Sequence, residues 1–333
     1  MSDTPRQEKL QEAFVGALIG TAVGDAFGLP AEGMSRQRIQ RRWHGHWKHR
    51  FLFGRGMMSD DTEHTLFVAQ ALLAHPNDPV AFQCCLAWKL RLWLLGIPAG
   101  IGFATLRAIL KLWLGFPSTR SGVHSAGNGP AMRGAIIGAY FFDGPEKRRE
   151  FVAAATSVTH TDPRSLTAAL AVAEAAALAV RQNESTEDWL SALTRLGHDD
   201  EWGALCRKVS GALAARTSVE AFAESVGLRN GVTGYAYHTV PVALYAWLRH
   251  RGDFRAAMES ALNCGGDTDS VGAIVGALAG IDVGKESIPF EWLSGICEWP
   301  RSRLVLEQIG ERLAKQKGAE RLLACIFHNS FDF

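Results

Sequence analysis

Apolar and polar positions alternate with a helical period along almost the whole chain. Residues 12–28 predict a buried helix in which Gly16, Gly20, Gly24 and Gly28 recur at four-residue intervals. That interval keeps them on one face. Glycine costs a helix roughly 1 kcal/mol against alanine, so four in register point to tight packing of another backbone on that face. The interval returns at Gly134 and Gly138, and at Gly272, Gly276 and Gly280. Further helices are predicted over 62–74, 80–95, 97–114, 131–141, 150–158, 166–180, 241–248 and 254–263, with amphipathic segments over 188–226 and 293–327. His75-Pro76-Asn77-Asp78-Pro79 is a clear stop and turn. No repeat, low-complexity run or linker divides the chain. The expectation is all-α: one compact multi-helix domain over 12–330 behind a short polar lead, 1–11.

Composition agrees. Of 333 residues 47% are hydrophobic, enough for a sizeable core, and Leu, Ala and Gly dominate over β-branched types. A formal charge of +1 gives no general attraction to nucleic acid or an acidic membrane. The apolar run 166–180 is 15 residues long and contains Glu174, short of the ~20 residues a bilayer span needs. Cys84, Cys85, Cys206, Cys264, Cys297 and Cys325 show no disulfide-like spacing and suit a reducing compartment, most as buried small hydrophobes. The charged, polar first ten residues do not resemble a secretory leader. A cytoplasmic monomer that neither enters a membrane nor binds nucleic acid is expected.

The chemistry concentrates in two clusters. Gly265-Gly266-Asp267-Thr268-Asp269-Ser270 runs into the third glycine stripe, and Ser59-Asp60-Asp61-Thr62 opens the 62–74 helix. Two carboxylates at the mouth of a buried helix are costly unless a cation or amide donors compensate them. Asp60 with Glu63 could form an N-cap and its capping box, and Asp267 or Asp269 could cap the later helix. That leaves one carboxylate in each cluster unexplained. Oxygen-only ligands favour a hard cation such as magnesium, manganese or calcium, and four carboxylates suffice for two ions ~3.5–4 Å apart. Both readings stand on spacing.

Other candidates are weaker alone. Gly127-Asn128-Gly129-Pro130 before a helix is a ready anion site. Glu32, just past the first helix, is a candidate acid or base. His160 lies in a Thr-His-Thr-Asp-Pro turn. Residues 33–59 carry seven Lys or Arg (Arg36, Arg38, Arg41, Arg42, Lys48, Arg50, Arg55) and no acid before the Asp60 cluster, with Trp43, His44, His46, Trp47 and His49 among them. They read either as a solvated irregular loop or as a basic rim for an anionic ligand, and His44-x-His46 as a remote transition-metal pair.

In combination these motifs resemble the ADP-ribosylglycohydrolase family. They are Gly16-Ala17-Leu18-Ile19-Gly20 through Gly24-Asp25-Ala26-Phe27-Gly28-Leu29-Pro30-Ala31-Glu32, then Met58-Ser59-Asp60-Asp61-Thr62, Gly127-Asn128-Gly129-Pro130-Ala131-Met132-Arg133, Thr159-His160-Thr161-Asp162-Pro163 and the Gly265–Ser270 cluster, in the family's order. The resemblance implies an all-α domain with a binuclear metal site holding two divalent cations, Mg2+ or Mn2+. It makes Ser59, Asp60, Asp61, Asp267, Asp269 and Ser270 the ligands, with Ser270 where threonine is more usual. It makes Glu32 and Asp61 catalytic. Ser125, Gly127, Asn128 and Gly129 match the loop along the diphosphate and distal ribose, and His160 and Tyr235 positions near the adenosine half. The implied activity is hydrolysis of the ribosyl bond between ADP-ribose and a modified protein side chain, with ADP-ribose as product. A binuclear hydrolase of another nucleotide or phosphoester, or a non-catalytic ADP-ribose binder, are the alternatives.

Overall fold

The structure, a computed structural model, describes residues 4–98, 100–181, 185–299 and 301–329, the side chains of residues 4, 5, 52 and 323–329 excepted. The expected domain end at 330 and the side chain of Cys325 lie outside the described residues. Helices form most of it. The first, Thr4–Gly28, starts well before the apolar pattern does. Its glycine face meets that of the helix Thr268–Val283. A Cβ added at Gly20 would stand 2.0 Å from the carbonyl oxygen of Gly276, and one at Gly24 1.9 Å from that of Gly272. Two stripes 250 residues apart are therefore the two halves of one backbone-on-backbone contact. The middle stripe works the same way: a Cβ at Gly138 would meet the carbonyl oxygen of Ala173 at 2.0 Å.

The remaining helices wrap this pair. Arg303–Asn329 lies along the first helix, while Pro163–Arg181 packs against Gly134–Tyr140, Ala236–Arg249 and Thr268–Val283. Leu18, Val23, Leu170, Leu244, Ile274 and Leu278 fill the interior between them. The expected all-α architecture is what the chain adopts, apart from one two-residue antiparallel pair, Met34–Ser35 with Gly265–Gly266.

Several local expectations are corrected. Two helices, Arg6–Ala31 and Pro163–Arg181, are long and apolar enough to cross a bilayer, whereas the apolar run had read as too short. They are apolar because the protein's own interior surrounds them, with 89% and 72% of their most apolar stretches buried. The 131–141 helix is broken at Arg133 into Gly129–Met132 and Gly134–Tyr140. Helix 97–114 shrinks to Phe103–Trp113, since Ile97 takes a left-handed φ of 50° that no helix accommodates. Of the five described cysteines, all free, only Cys206 and Cys264 are buried. The basic 33–59 stretch is an irregular loop only in part. It contains the helix Arg36–Trp43, then stacks Trp43 on Trp47 at 4.7 Å and buries His49 against the carbonyl of Trp292.

Candidate active site

The glycine contact ends where the chemistry begins. At Gly28 the first helix is so close to the second that an added Cβ would stand 2.4 Å from the Cα of Asp269, and the Thr268 hydroxyl donates to the Gly28 carbonyl at 2.8 Å. One helix thus delivers Glu32 past a short turn, and the other delivers Asp267, Asp269 and Ser270 at its N-terminus. The short strand pair ties these two segments side by side. Gly266, at φ 84°, passes so near Val232 that an added Cβ would stand 1.9 Å from its carbonyl oxygen, so only glycine fits.

A third segment enters through Asp25, buried in the first helix one residue after Gly24. Its carboxylate accepts the Ser59 amide and hydroxyl, each at 2.7 Å, and the Thr62 amide and hydroxyl. This anchor sets the start of the helix Asp60–Ala74 against the first helix. It also overturns the capping reading. Ser59, not Asp60, occupies the cap position and directs its hydroxyl to Asp25, while Glu63 accepts the Trp93 indole at 2.8 Å and Arg301 at 3.0 Å. Asp267 stands at the cap of its helix without a side-chain cap bond. Sequence reasoning noted Asp25 but gave it no role. Its signals were its place in the Gly24–Glu32 motif and a carboxylate set deep in an apolar stretch of helix.

These segments border a cleft of about 660 Å³. Glu32, Asp60, Asp267, Asp269 and Ser270 line it together with Ser125, Gly127, Asn128, Gly129 and His160. Ser59 and Asp61 are buried behind it, and Tyr235 lies outside, its hydroxyl bonded to Glu201 at 2.9 Å. The glycine loop is not the free N-terminus that its sequence suggested. Its helix has four residues, the Gly127 amide donates to the Ser125 hydroxyl, and the Asn128 amide to the Gly234 carbonyl. The Asn128 side chain crosses the cleft to Asp267 at 2.6 Å and to Thr239 at 3.0 Å.

The expected binuclear metal site, with its two Mg2+ or Mn2+ ions held by Ser59, Asp60, Asp61, Asp267, Asp269 and Ser270, is not found. Among the described residues no group of three or more His, Cys, Asp or Glu side chains is placed to hold a metal ion. No such group includes His44 or His46, both of which are exposed. The physical reason lies in where the oxygens point. Asp25 is occupied by Ser59 and Thr62, Asp61 accepts the Ser270 hydroxyl at 3.3 Å, Asp267 accepts Asn128, and Asp269 accepts the Ser270 amide at 2.9 Å. Protein donors compensate these carboxylates in part. Burial disfavours an ionised carboxylate and neighbouring negative charge disfavours it further, so the cluster leans towards its protonated forms. Burial pushes Asp25 up to about 7 against the pull of its hydrogen bonds, and burial with Asp267 alongside pushes Asp269 up to about 8. Asp60 and Asp61 are raised well above the usual carboxylate range, by burial first and then by their acidic neighbours. Glu32, at the exposed rim, is raised by partial burial and by Asp269.

The resemblance is borne out by comparison with other proteins. The profile of the ADP-ribosylglycohydrolase family matches residues 6–322. An uncharacterized protein of Archaeoglobus fulgidus is 32% identical over 312 residues, covering 91% of this chain and 96% of its own. The ADP-ribosyl-[dinitrogen reductase] glycohydrolase of Rhodospirillum rubrum is 27% identical over 288 residues, 84% of this chain and 88% of its own. Among solved structures, an ADP-ribosylglycohydrolase-related protein complex superposes with a TM-score of 0.69 at 27% identity, spanning 93% of this chain and 99% of the other.

Proposed function

Because this chain belongs to the ADP-ribosylglycohydrolase family, a family of hydrolases, we propose that it cleaves the ribosyl bond joining ADP-ribose to a modified protein side chain. The observation that carries this reading is a single cleft lined by carboxylates, by a glycine loop and by a histidine. Such a cleft suits a ligand with a reacting sugar at one end and a polar, phosphate-bearing remainder.

In the proposed reaction a water oxygen bonds to the anomeric carbon of the ribose while the bond to the acceptor atom breaks. Glu32 takes a proton from the water, and the acidic cluster gives a proton to the departing side chain. Positive charge builds on the sugar in the transition state, and carboxylates facing it lower the barrier. Asp60 and Asp269 are the residues assigned to that role. With Asp269 pushed up to about 8 beside its acidic neighbours, the cluster can protonate the leaving group and still face the sugar with a carboxylate. Asp61 is assigned a supporting part, holding Ser270 at the cleft wall through its hydroxyl. Ser125, Gly127, Asn128, Gly129 and His160 are assigned to the ADP-ribose half, and Tyr235 to its outer edge.

Release of ADP-ribose from mono-ADP-ribosylated proteins and from ADP-ribosyl-arginine and ADP-ribosyl-serine, followed chromatographically, tests the reading. Release from at least one acceptor is expected. No release from any of them, by protein shown to be folded, would refute it.

A further inference from the structure

We infer that Arg133 and Thr159 are positioning residues that hold His160 in its Nε2-protonated tautomer, so that the ring presents an N–H, not a lone pair, to the cleft. The inference about what that N–H recognises rests on the function proposed above; the inference about the tautomer does not.

The geometry is a relay of three buried side chains. Arg133, fully buried in the break between two helices, donates from Nη2 to the Ala155 carbonyl at 3.0 Å and to the Thr159 hydroxyl oxygen at 2.6 Å. That same oxygen stands 2.8 Å from Nδ1 of His160. A threonine hydroxyl has one proton to give. Arginine can only donate, so the bond from Arg133 uses the oxygen as an acceptor and leaves its proton in want of a partner. Thr159 is wholly buried, and Nδ1 of His160 is the acceptor within reach. If Nδ1 carried a proton instead, the Thr159 oxygen would receive two donors and its own proton would be buried without a partner, an arrangement proteins avoid. Counting donors therefore selects Nδ1 as acceptor and puts the imidazole proton on Nε2.

Nε2 is the edge that matters to a ligand. His160 lines the cleft, and a Cβ added at Gly127 would stand 3.0 Å from Nε2. Among the described residues nothing accepts a hydrogen bond from it. The relay also accounts for an otherwise expensive group. Arg133 leaves Nε and Nη1 buried without hydrogen-bond partners, a poor bargain for packing alone. Fixed as a donor, His160 favours an oxygen acceptor of the ADP-ribose half, a phosphate or ribose oxygen, over a donor group.

The wild-type protein, labelled with 15N and free of ligand, gives the direct test. Two-bond 1H–15N spectra are expected to show His160 with the Nε2-protonated pattern; an Nδ1-protonated or imidazolium pattern at neutral pH would overturn the inference without any variant having to fold. Thr159→Val keeps the side-chain shape and removes the hydroxyl. It is expected to admit the second tautomer and to weaken ADP-ribose binding, read by calorimetry, about tenfold, while Thr159→Ser restores both. A Thr159→Val protein with unchanged spectrum and affinity would equally overturn it. If the wild type binds no ADP-ribose, the proposed function fails, and the spectrum still decides the tautomer.

Discussion

Gly24→Ala tests the contact on which the site is built. The new methyl carbon would stand 1.9 Å from the carbonyl oxygen of Gly272 and 2.3 Å from its carbon, where ordinary contact begins near 3.4 Å. Both partners are backbone atoms of packed helices, so neither can rotate aside, and the helices would have to part by about 1.5 Å over several turns. Overpacking of this kind costs about 1–3 kcal/mol and more when backbone must move. Alanine's better helix propensity returns roughly 1 kcal/mol. Taking the upper end of that cost less this return, a net loss of about 2 kcal/mol is expected in urea unfolding. Hydrolysis should fall further than stability explains, because the next residue, Asp25, carries the bonds to Ser59 and Thr62. Gly211→Ala is the matched control. Gly211 lies inside the helix Asp200–Ala214, and an added Cβ there meets nothing within 4 Å. The same substitution should therefore stabilise by about 0.5–1 kcal/mol. A Gly24→Ala protein as stable as its parent, or a Gly211→Ala protein as damaged as Gly24→Ala, would refute the reasoning.

Glu32→Gln should lower the turnover of ADP-ribosylated substrate by roughly 10²–10⁴-fold while leaving ADP-ribose affinity within a few-fold, the signature of a lost proton acceptor; steady-state kinetics with calorimetry separate the two. Asp269 has a folded-state carboxyl raised to about 8, so its favourable contribution is present at low pH and is lost as pH rises from the ordinary carboxylate range through 8. Asp269→Asn should then be more stable than the parent at pH 8 and gain little near pH 4, as unfolding curves at the two pH values would show. His64 has the opposite sign. It is wholly buried, its ring nitrogens lack hydrogen-bond partners among the described residues, and burial first, then Arg133, hold it well below its ordinary value. The unfolded chain takes up a proton near 6.5 that the folded protein refuses, so stability falls as pH drops below that value. His64→Phe should flatten this fall in acid-unfolding curves, whatever its offset at neutral pH.

How far the site was legible depends on the range over which each feature is set. Glu32, Asp60, Asp267, Asp269, Ser270 and the loop Gly127–Gly129 were legible because density of oxygen and glycine at a helix mouth is a local signal, and all of them border the cleft. Ser59 and Asp61 share that signal, yet they face inward, since Asp25 draws one and Ser270 meets the other. Arg133 and Thr159 stand in the motifs of the resemblance, but nothing in their spacing gives them a role. An arginine in a helical stretch reads as a surface residue until its helix is seen to break around it.

By itself the sequence determined the helices, the glycine stripes and the residue types at the cleft, because periodicity and turn chemistry act over a few residues. Tertiary structure alone decided that the stripe at 16–28 faces the stripe at 272–280, and which donor each carboxylate receives. Those choices set whether neighbouring acids converge on an ion or turn towards protein donors and protons. Spacing along the chain counts oxygens; only the placement of Ser59, Asn128 and Ser270 against acids as many as 209 residues away says where they point.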